Sequence, residues 1–233
     1  MANLTVCGIS AYWSKLLANK NYMTNKVNEV YEILLAHYGE PHWWPAKSPY
    51  EVIVGAILTQ NTNWSNVEMA IANFNNRLSP QFVAEACVAE LIEIIRPAGF
   101  FNQKAACLKA VTAWFEKYDY DALQVQNRPL QSLRSELLAI KGIGNETADC
   151  ILLYAIGLPT FVIDAYTMRF CSRFPFDVGR SYLSAKAYFE DALPKSEKMY
   201  NNYHALIVLN GKKHCKKRAN CCQCPLEAIC AKF

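Results

Sequence analysis

The chain has 233 residues, of which 52% are hydrophobic and 19% are charged, and its formal net charge is +4 at neutral pH. This length suits one compact domain or two small ones, and the composition excludes an intrinsically disordered chain. The longest apolar runs, such as VIVGAIL over residues 52–58, are too short to span a membrane. The N-terminal residues lack the basic and apolar regions of a signal peptide, so we expect a cytoplasmic protein without membrane association.

Helical periodicity runs through almost the whole chain. In KVNEVYEILLAHYG (26–39) the apolar residues lie on one stripe, and a Ser-Pro pair opens a second, largely apolar helix over 48–60. Eight further helical segments follow, over 66–78, 81–96, 102–118, 130–140, 146–157, 164–174, 186–194 and 197–215. No alternating strand pattern interrupts them, so we predict an all-α fold of about ten helices.

The segment GKKHCKKR (211–218) is strongly basic. It holds five basic residues within eight positions, namely Lys212, Lys213, Lys216, Lys217 and Arg218. Such a run is typical of a surface that binds a polyanion, although a solvated run of charge would have the same composition.

Four of the ten cysteines form a C-x5-C-x2-C-x5-C frame, consisting of Cys215, Cys221, Cys224 and Cys230. Disulfides are rare inside cells, and four thiolates so close in sequence can converge on one soft metal centre. Zinc sites usually contain paired C-x2-C steps, and only one is present here. The frame therefore favours a [4Fe–4S] cluster, with zinc and a disulfide as the alternatives. Such a loop would fix the C-terminus and present the basic run to a phosphate backbone.

The stretch Lys141-Gly142-Ile143-Gly144 joins two helical segments. Glycine permits positive φ and close backbone approach, and the amides that follow lie at a helix N-terminus, where an anion is favoured. The turn is therefore a candidate site for gripping a nucleic-acid phosphate, with Ile143 packed inward.

Asp164 follows the apolar segment TFVI and precedes a helix, so it is either an N-cap or a carboxylate placed for chemistry. The stretch GIGNETADCILLYAIGLPTFVIDAYTMRF (142–170) resembles the helix-hairpin-helix and Gly/Pro…Asp motif of the endonuclease III superfamily of DNA glycosylases. The cysteine loop resembles the iron–sulfur loop of that superfamily, and GAILTQNTNWSNV (55–67) resembles its segment with a gap-filling glutamine.

The resemblance implies that Asp164 assists cleavage of the N-glycosidic bond and that Gln60 fills the gap left by a flipped base. Bifunctional members carry a lysine nucleophile at the position of Glu146, and an acid cannot form a Schiff base. We therefore expect a monofunctional glycosylase that uses water and leaves the abasic strand intact.

The segments PHWWPAKSPYE (41–51), LTQNT (58–62) and RPAGFFNQKA (96–105) resemble the 3-methyladenine glycosylase branch. That resemblance implies double-stranded DNA containing an alkylated purine as substrate. It also implies a base pocket formed by Trp43, Trp44, Pro45 and Trp64, whose rings would attract a cationic base. A glycosylase for oxidised pyrimidines or mismatched bases is the alternative, and a non-catalytic DNA-binding module is an alternative of another class.

The resemblance also implies two helical domains. A helical barrel over 42–153 would end in the hairpin, and residues 1–41 plus 154–233 would form the iron–sulfur cluster domain, with Asp164 facing the aromatic cluster across a cleft. We expect a monomer, associated with the nucleoid if the source is prokaryotic.

Overall fold

The computed structural model describes residues 7–41 and 43–230, with side chains from residue 23 onward. Over these residues the chain forms twelve α-helices, one short 3-10 turn and one π-helical segment, and it contains no β-strand. The predicted all-α class is therefore confirmed for this part of the chain. None of its helices combines the length and the apolar character needed to cross a membrane.

The helices follow one another through short connections. They are α1 (Cys7–Tyr38), α2 (Pro49–Leu58), α3 (Trp64–Ala72), α4 (Pro80–Glu85), α5 (Val88–Ile95), α6 (Phe101–Glu116), α7 (Ala122–Gln126), α8 (Leu130–Leu138), α9 (Asn145–Cys150), α10 (Ala165–Arg173), α11 (Tyr182–Ala192) and α12 (Glu197–Lys213). The 3-10 turn at Arg96–Ala98 follows α5, and the π-helical segment at Ile151–Ala155 continues α9.

The chain divides into two compact units, which we call the middle unit (His42–Val162) and the terminal unit (Met1–Pro41 with Ile163–Phe233). Residues 154–162, which we assigned to the terminal domain from the sequence, group with the middle unit. One reason is that the Thr160 hydroxyl donates to Oδ1 of Asp149 at 2.9 Å, which fastens this segment to α9.

Helix α2 forms the centre of the middle unit. Ser48 is its N-cap and accepts a hydrogen bond from the Glu51 amide, while Pro49 supplies the first helical residue. Residues 52–58 are all buried, and α2 packs against α6 and the π-helical segment. The end of α2 is thereby held firmly in the core.

One predicted helix is two helices in the structure. The pattern over 81–96 is helical throughout, but Ala86 leaves the helical region with ψ of 138° and so separates α4 from α5. Cys87 then caps α5, with its Sγ accepting from the Glu90 amide at 3.4 Å. The short helix α7, capped by Asp121, was not predicted, because five residues carry too little periodicity to detect.

In the terminal unit, α1 packs against α11 and α12, and α10 packs against α12. The Tyr203 hydroxyl, on α12, donates to the carbonyl of Val27 on α1 at 2.9 Å. Helix α12 therefore supports both α1 and the helix that begins after Asp164.

Candidate active site

Asp164 is the N-cap of α10 in the terminal unit. Its Oδ1 accepts hydrogen bonds from the Thr167 amide at 2.7 Å and from the Thr167 hydroxyl at 2.9 Å. Its Oδ2 lies 3.6 Å from Nε2 of His204, and the Asp164 side chain keeps 14% of its surface exposed. Capping thus occupies one carboxylate oxygen and leaves the other beside a histidine.

The groups around Asp164 favour its ionised form. Burial by itself would raise the pKa of the carboxyl, but the neighbouring His204 and the hydrogen bonds from Thr167 outweigh it, so the pKa lies below its ordinary value. The carboxylate is therefore ionised at neutral pH. An ionised, partly exposed carboxylate can stabilise positive charge on a sugar or orient a water molecule.

Three aromatic side chains of the middle unit form one cluster. Trp44 meets Trp64 edge to face with ring centroids 5.6 Å apart, and its centroid lies 5.2 Å from that of Tyr154. The backbone of Trp44 has φ of +66°, a strained value for a non-glycine residue. A Cβ on Gly55 would lie 3.3 Å from the Trp44 indole, so glycine lets this ring pack closely on α2.

The neighbours of Trp44 differ in exposure, since Trp43 is partly buried and Pro45 is exposed. The indole Nε1–H of Trp44 is buried and has no hydrogen-bond partner among the described residues. A buried donor of this kind is costly unless something accepts from it. The edge of the indole that carries this donor lies on Gly55 of α2.

Gln60 connects the end of α2 to the hairpin. Its Nε2 donates to the Gly142 carbonyl and to the Thr147 hydroxyl, both at 2.9 Å. The carboxamide that the resemblance assigns to the DNA gap is thus held beside the hairpin turn.

The two hairpin glycines have different backbone conformations. Gly142 has φ of +98°, whereas Gly144 has φ of −97° and ψ of −178°, which any residue can adopt. A Cβ on Gly142 would lie 3.4 Å from Sγ of Cys107, and one on Gly144 would meet no protein atom within 4 Å. Gly142 is therefore required by the turn, and Gly144 leaves the backbone open to an approaching ligand. Ile143, between them, is buried, and Lys141 is exposed.

The four cysteines of the C-terminal frame line one cavity of about 30 Å³ in the terminal unit. Cys222 is exposed and does not line it. In the described residues, no three or more His, Cys, Asp or Glu side chains are grouped closely enough to hold a metal ion.

Two arginines of α10 hold the start of this loop. Arg169 donates to the Cys215 carbonyl at 2.8 Å, and Arg173 donates to Sγ of Cys215 at 3.3 Å and to the Lys217 carbonyl at 2.8 Å. The basic side chains around the loop are exposed, and Lys213 lies 4.8 Å from the ring centroid of Tyr38. The second half of the basic run thus lies on a backbone that α10 fixes, whereas Lys212 and Lys213 lie on α12.

Comparison with known proteins places these features in one family. The model described as "HhH-GPD superfamily base excision DNA repair protein" matches residues 54–195, a range that includes Gln60, the hairpin and Asp164. The chain belongs to the HhH-GPD superfamily. The HhH-GPD match covers more than half of the chain.

Several HhH-GPD relatives are similar along most of the chain. A Methanocaldococcus jannaschii protein, named provisionally as a DNA repair glycosylase, is 46% identical over 88% of this chain and 95% of its own. Endonuclease III of Sulfolobus acidocaldarius is 29% identical, covering 92% and 95%. The structure of H. pylori 3-methyladenine DNA glycosylase bound to 1,N6-ethenoadenine has a TM-score of 0.68 at 26% identity, covering 83% and 97%. This HhH-GPD protein is accordingly a DNA repair glycosylase.

The sequence did not single out Phe100 or Tyr154 of this HhH-GPD protein. Phe100 is 61% exposed, has φ of +46° and directly follows Gly99. Tyr154 reaches Trp44 from the π-helical segment, and such segments occur often at functional sites. An aromatic residue after a glycine between two helices could have indicated Phe100, whereas no local pattern indicates a π-helical segment.

A buried ion pair supports the hairpin of this HhH-GPD protein. Arg134 on α8 donates from Nε to Oδ1 of Asp149 at 2.9 Å and from Nη2 to Oδ2 at 3.1 Å, and Asp149 is fully buried. Nη2 also donates to Oδ1 of Asn145, the first residue of α9, at 2.7 Å. The two helices on either side of the turn are therefore locked together by charge-assisted hydrogen bonds.

Gly144→Ala should weaken DNA binding with little loss of stability. The new methyl group has room in the protein and an ordinary φ, so the free energy of unfolding should fall by no more than about 1 kcal/mol, the difference between Gly and Ala at an N-cap. DNA affinity, measured by fluorescence anisotropy, should fall because the methyl group lies where a phosphate would approach. Gly142→Ala is the comparison, since at φ of +98° it should cost about 1–3 kcal/mol. An unchanged Kd for Gly144→Ala would exclude a phosphate contact there.

Proposed function

We propose that this HhH-GPD glycosylase is monofunctional and hydrolyses the N-glycosidic bond of alkylated purines, such as 3-methyladenine, in double-stranded DNA. The observation that carries the proposal is the ionised Asp164, capped by Thr167 and adjacent to His204, together with Glu146 in the first turn of α9. The first supplies a carboxylate for hydrolysis, and the second stands where a bifunctional enzyme needs a lysine.

Asp164 has two roles in this reaction. As the bond to the base breaks, positive charge develops on the sugar, and the exposed part of the carboxylate stabilises it. The same carboxylate orients the attacking water and accepts its proton. Thr167 and His204 hold the carboxylate in position and ionised, so it is ready before the substrate arrives.

The aromatic cluster suits a cationic base. Trp44, Trp64 and Tyr154 pack together, and the π face of an aromatic ring attracts a positively charged ring more strongly than a neutral one. Trp43 and Pro45 would complete the walls. The similarity to an H. pylori enzyme bound to an etheno-modified adenine supports a modified purine.

A protonated or alkylated purine is also a good leaving group. Its positive charge weakens the glycosidic bond, so the enzyme needs no strong general acid. This matches a site whose candidate catalytic carboxylate is ionised rather than protonated. Selectivity would then come from stacking on the aromatic rings.

The middle unit would contact the duplex through several exposed groups. Lys141 and the open backbone at Gly144 would bind phosphate, while Gln60 and Phe100 lie at turns that can reach the gap left by the flipped base. Gln60 would exchange its hydrogen bonds to the hairpin for contacts with DNA. In the terminal unit, the exposed side chains of residues 212–218 would bind the phosphate backbone.

Release of the free base from modified DNA tests this proposal. Purified protein is incubated with methylated, oxidised and thymine-mismatched duplexes, and the released base is identified by mass spectrometry. We expect 3-methyladenine and no covalent adduct after borohydride treatment. Release of an oxidised pyrimidine or thymine would favour the alternative substrates, a trapped adduct would refute monofunctionality, and no release from any duplex would favour a non-catalytic module.

We also propose that Cys215, Cys221, Cys224 and Cys230 hold a [4Fe–4S] cluster. All four line one cavity, together with apolar side chains such as Phe170 and Leu226, and sulfur ligands in apolar surroundings suit such a cluster. Its contribution would be structural, since the loop between α12 and the C-terminus then closes around one centre. Arg173 would donate to one of the ligand sulfurs.

Cys224→Ser should lose the metal centre and Cys222→Ser should keep it. The two residues lie two positions apart, but only Cys224 lines the cavity. Iron, zinc and acid-labile sulfide analyses with visible absorption provide the measurement. We expect about four irons and four sulfides per chain in the wild type and in Cys222→Ser. Detection of zinc without acid-labile sulfide would show that the site binds zinc and not an iron–sulfur cluster. Equal loss of metal in both variants would refute the assignment of Cys222 as a non-ligand.

A further inference from the structure

Lys104 is a buried cation on α6. Lys104 is only 3% exposed. Its Nζ donates to the Leu58 carbonyl at 2.9 Å and to the Ala98 carbonyl at 2.8 Å. Within residues 23–41 and 43–230 no carboxylate pairs with it, and burial lowers the pKa of Lys104 to about 8. A buried, unpaired ammonium group is costly, and here its hydrogen bonds go to backbone oxygens of two separate segments.

The two carbonyls mark the beginnings of two exposed turns. Leu58 is the last residue of α2, directly before the turn with Gln60 and Asn61, and Ala98 directly precedes Gly99 and Phe100. Because one nitrogen lies within hydrogen-bond distance of both oxygens, the two turns begin almost at the same point. Each turn also has a strained tip, with φ of +53° at Asn61 and +46° at Phe100.

The same helix supports the hairpin. Cys107, one turn after Lys104 on α6, packs beneath Gly142, whose carbonyl accepts from Gln60. Helix α6 therefore contacts the two turns through Lys104 and the hairpin through Cys107. These three elements of the candidate site are thus held by one helix.

We propose that Lys104 is a positioning residue that fixes the Gln60–Asn61 turn relative to the Gly99–Phe100 turn, so that the two turns together recognise a gap in duplex DNA. This role rests on the proposed function, in which both turns contact DNA. The lysine itself touches no DNA. Because a single donor binds the carbonyls that begin both turns, it fixes the separation of the two turns.

Lys109 provides a matched control on the same helix. Its Nζ donates to the carbonyls of Val83, Ala84 and Ala86, which lie at the C-terminal end of α4. Lys104→Met and Lys109→Met therefore each remove a lysine that donates to backbone carbonyls at the ends of helical segments. Only the carbonyls bound by Lys104 lead into the turns of the candidate site.

The test compares the affinity of each protein for two duplexes that differ at one position. One duplex carries a tetrahydrofuran abasic-site analogue and the other is undamaged, and the preference is the ratio of the two Kd values. A fall in the folded fraction changes both Kd values equally and cancels in the ratio. We expect the wild type to prefer the abasic duplex by about tenfold or more. Lys104→Met should reduce the preference to about twofold or less, as should Phe100→Ala, while Lys109→Met should retain it.

A Lys104→Met protein that keeps the wild-type preference, or a Lys109→Met protein that loses it to the same extent, would overturn this role. Circular dichroism establishes that each variant is folded, and if Lys104→Met is not, the same comparison with Lys104→Gln decides. A wild type without any preference would also overturn it. A wild type that prefers the abasic duplex but releases no base would count against the proposed function alone.

Discussion

Asp164→Asn should reduce base release by about a thousandfold or more while DNA affinity stays near that of the wild type. The amide keeps the shape of the side chain and can still cap α10 through Thr167. It cannot carry the negative charge that stabilises the developing sugar cation, and it cannot accept a proton from water. Single-turnover excision and anisotropy titrations on the same duplex measure the two quantities.

Asp121→Asn is the control for this substitution. Asp121 caps α7 by accepting from the Leu123 amide at 2.8 Å, so the same chemical change is made at another N-cap. Base release by Asp121→Asn should equal that of the wild type. If Asp164→Asn retained most of the activity, Asp164 would be a cap only and the carboxylate would have to be sought elsewhere.

Arg134→Met should lower the free energy of unfolding by about 3–5 kcal/mol, the usual cost of leaving a buried charge without its partner. Asp149 is fully buried, and removing the guanidinium takes away both of its hydrogen bonds to that carboxylate. The contact between α8 and Asn145 is lost as well, so the hairpin should loosen and DNA affinity should fall. Urea denaturation and anisotropy provide the two measurements.

An exposed ion pair gives the matched comparison. Nη1 of Arg77 lies 3.2 Å from Oε1 of Glu90, and the two side chains are 49% and 40% exposed. Because water screens such a pair, Arg77→Met should cost less than about 1 kcal/mol and should leave DNA affinity unchanged. Equal destabilisation by the two substitutions would show that the burial of Asp149 does not determine the cost.

The sequence predicted helices best where apolar periodicity and capping residues agreed. Ser48 and Pro49 begin α2 as expected, and the hairpin lies between two helices as expected. The prediction of one continuous helix over 81–96 was wrong, because the apolar periodicity persists across a break that the backbone makes at Ala86. A hydrophobic stripe reports which face is buried and does not reveal a local change in ψ.

The glycines illustrate a second limit. Two glycines two residues apart suggest the same conformational requirement for both, but only Gly142 has positive φ. Gly144 has an ordinary conformation with open space around it, so its role concerns access. Phe100 is the opposite case, since its residue type does not indicate the positive φ that it adopts.

The order and type of residues were sufficient to predict the family and the hairpin, because these are local patterns within short stretches. The same patterns single out Asp164 and Glu146, whose roles stay predictions. The charge state of Asp164 depends on His204, and the position of Gln60 depends on Gly142 and Thr147. The pairing of Trp44 with Tyr154 and the bonds from Lys104 to two turns likewise join residues that are distant in the chain. Only the tertiary structure decides such contacts, since burial, desolvation and hydrogen-bond distance arise when separate helices pack together.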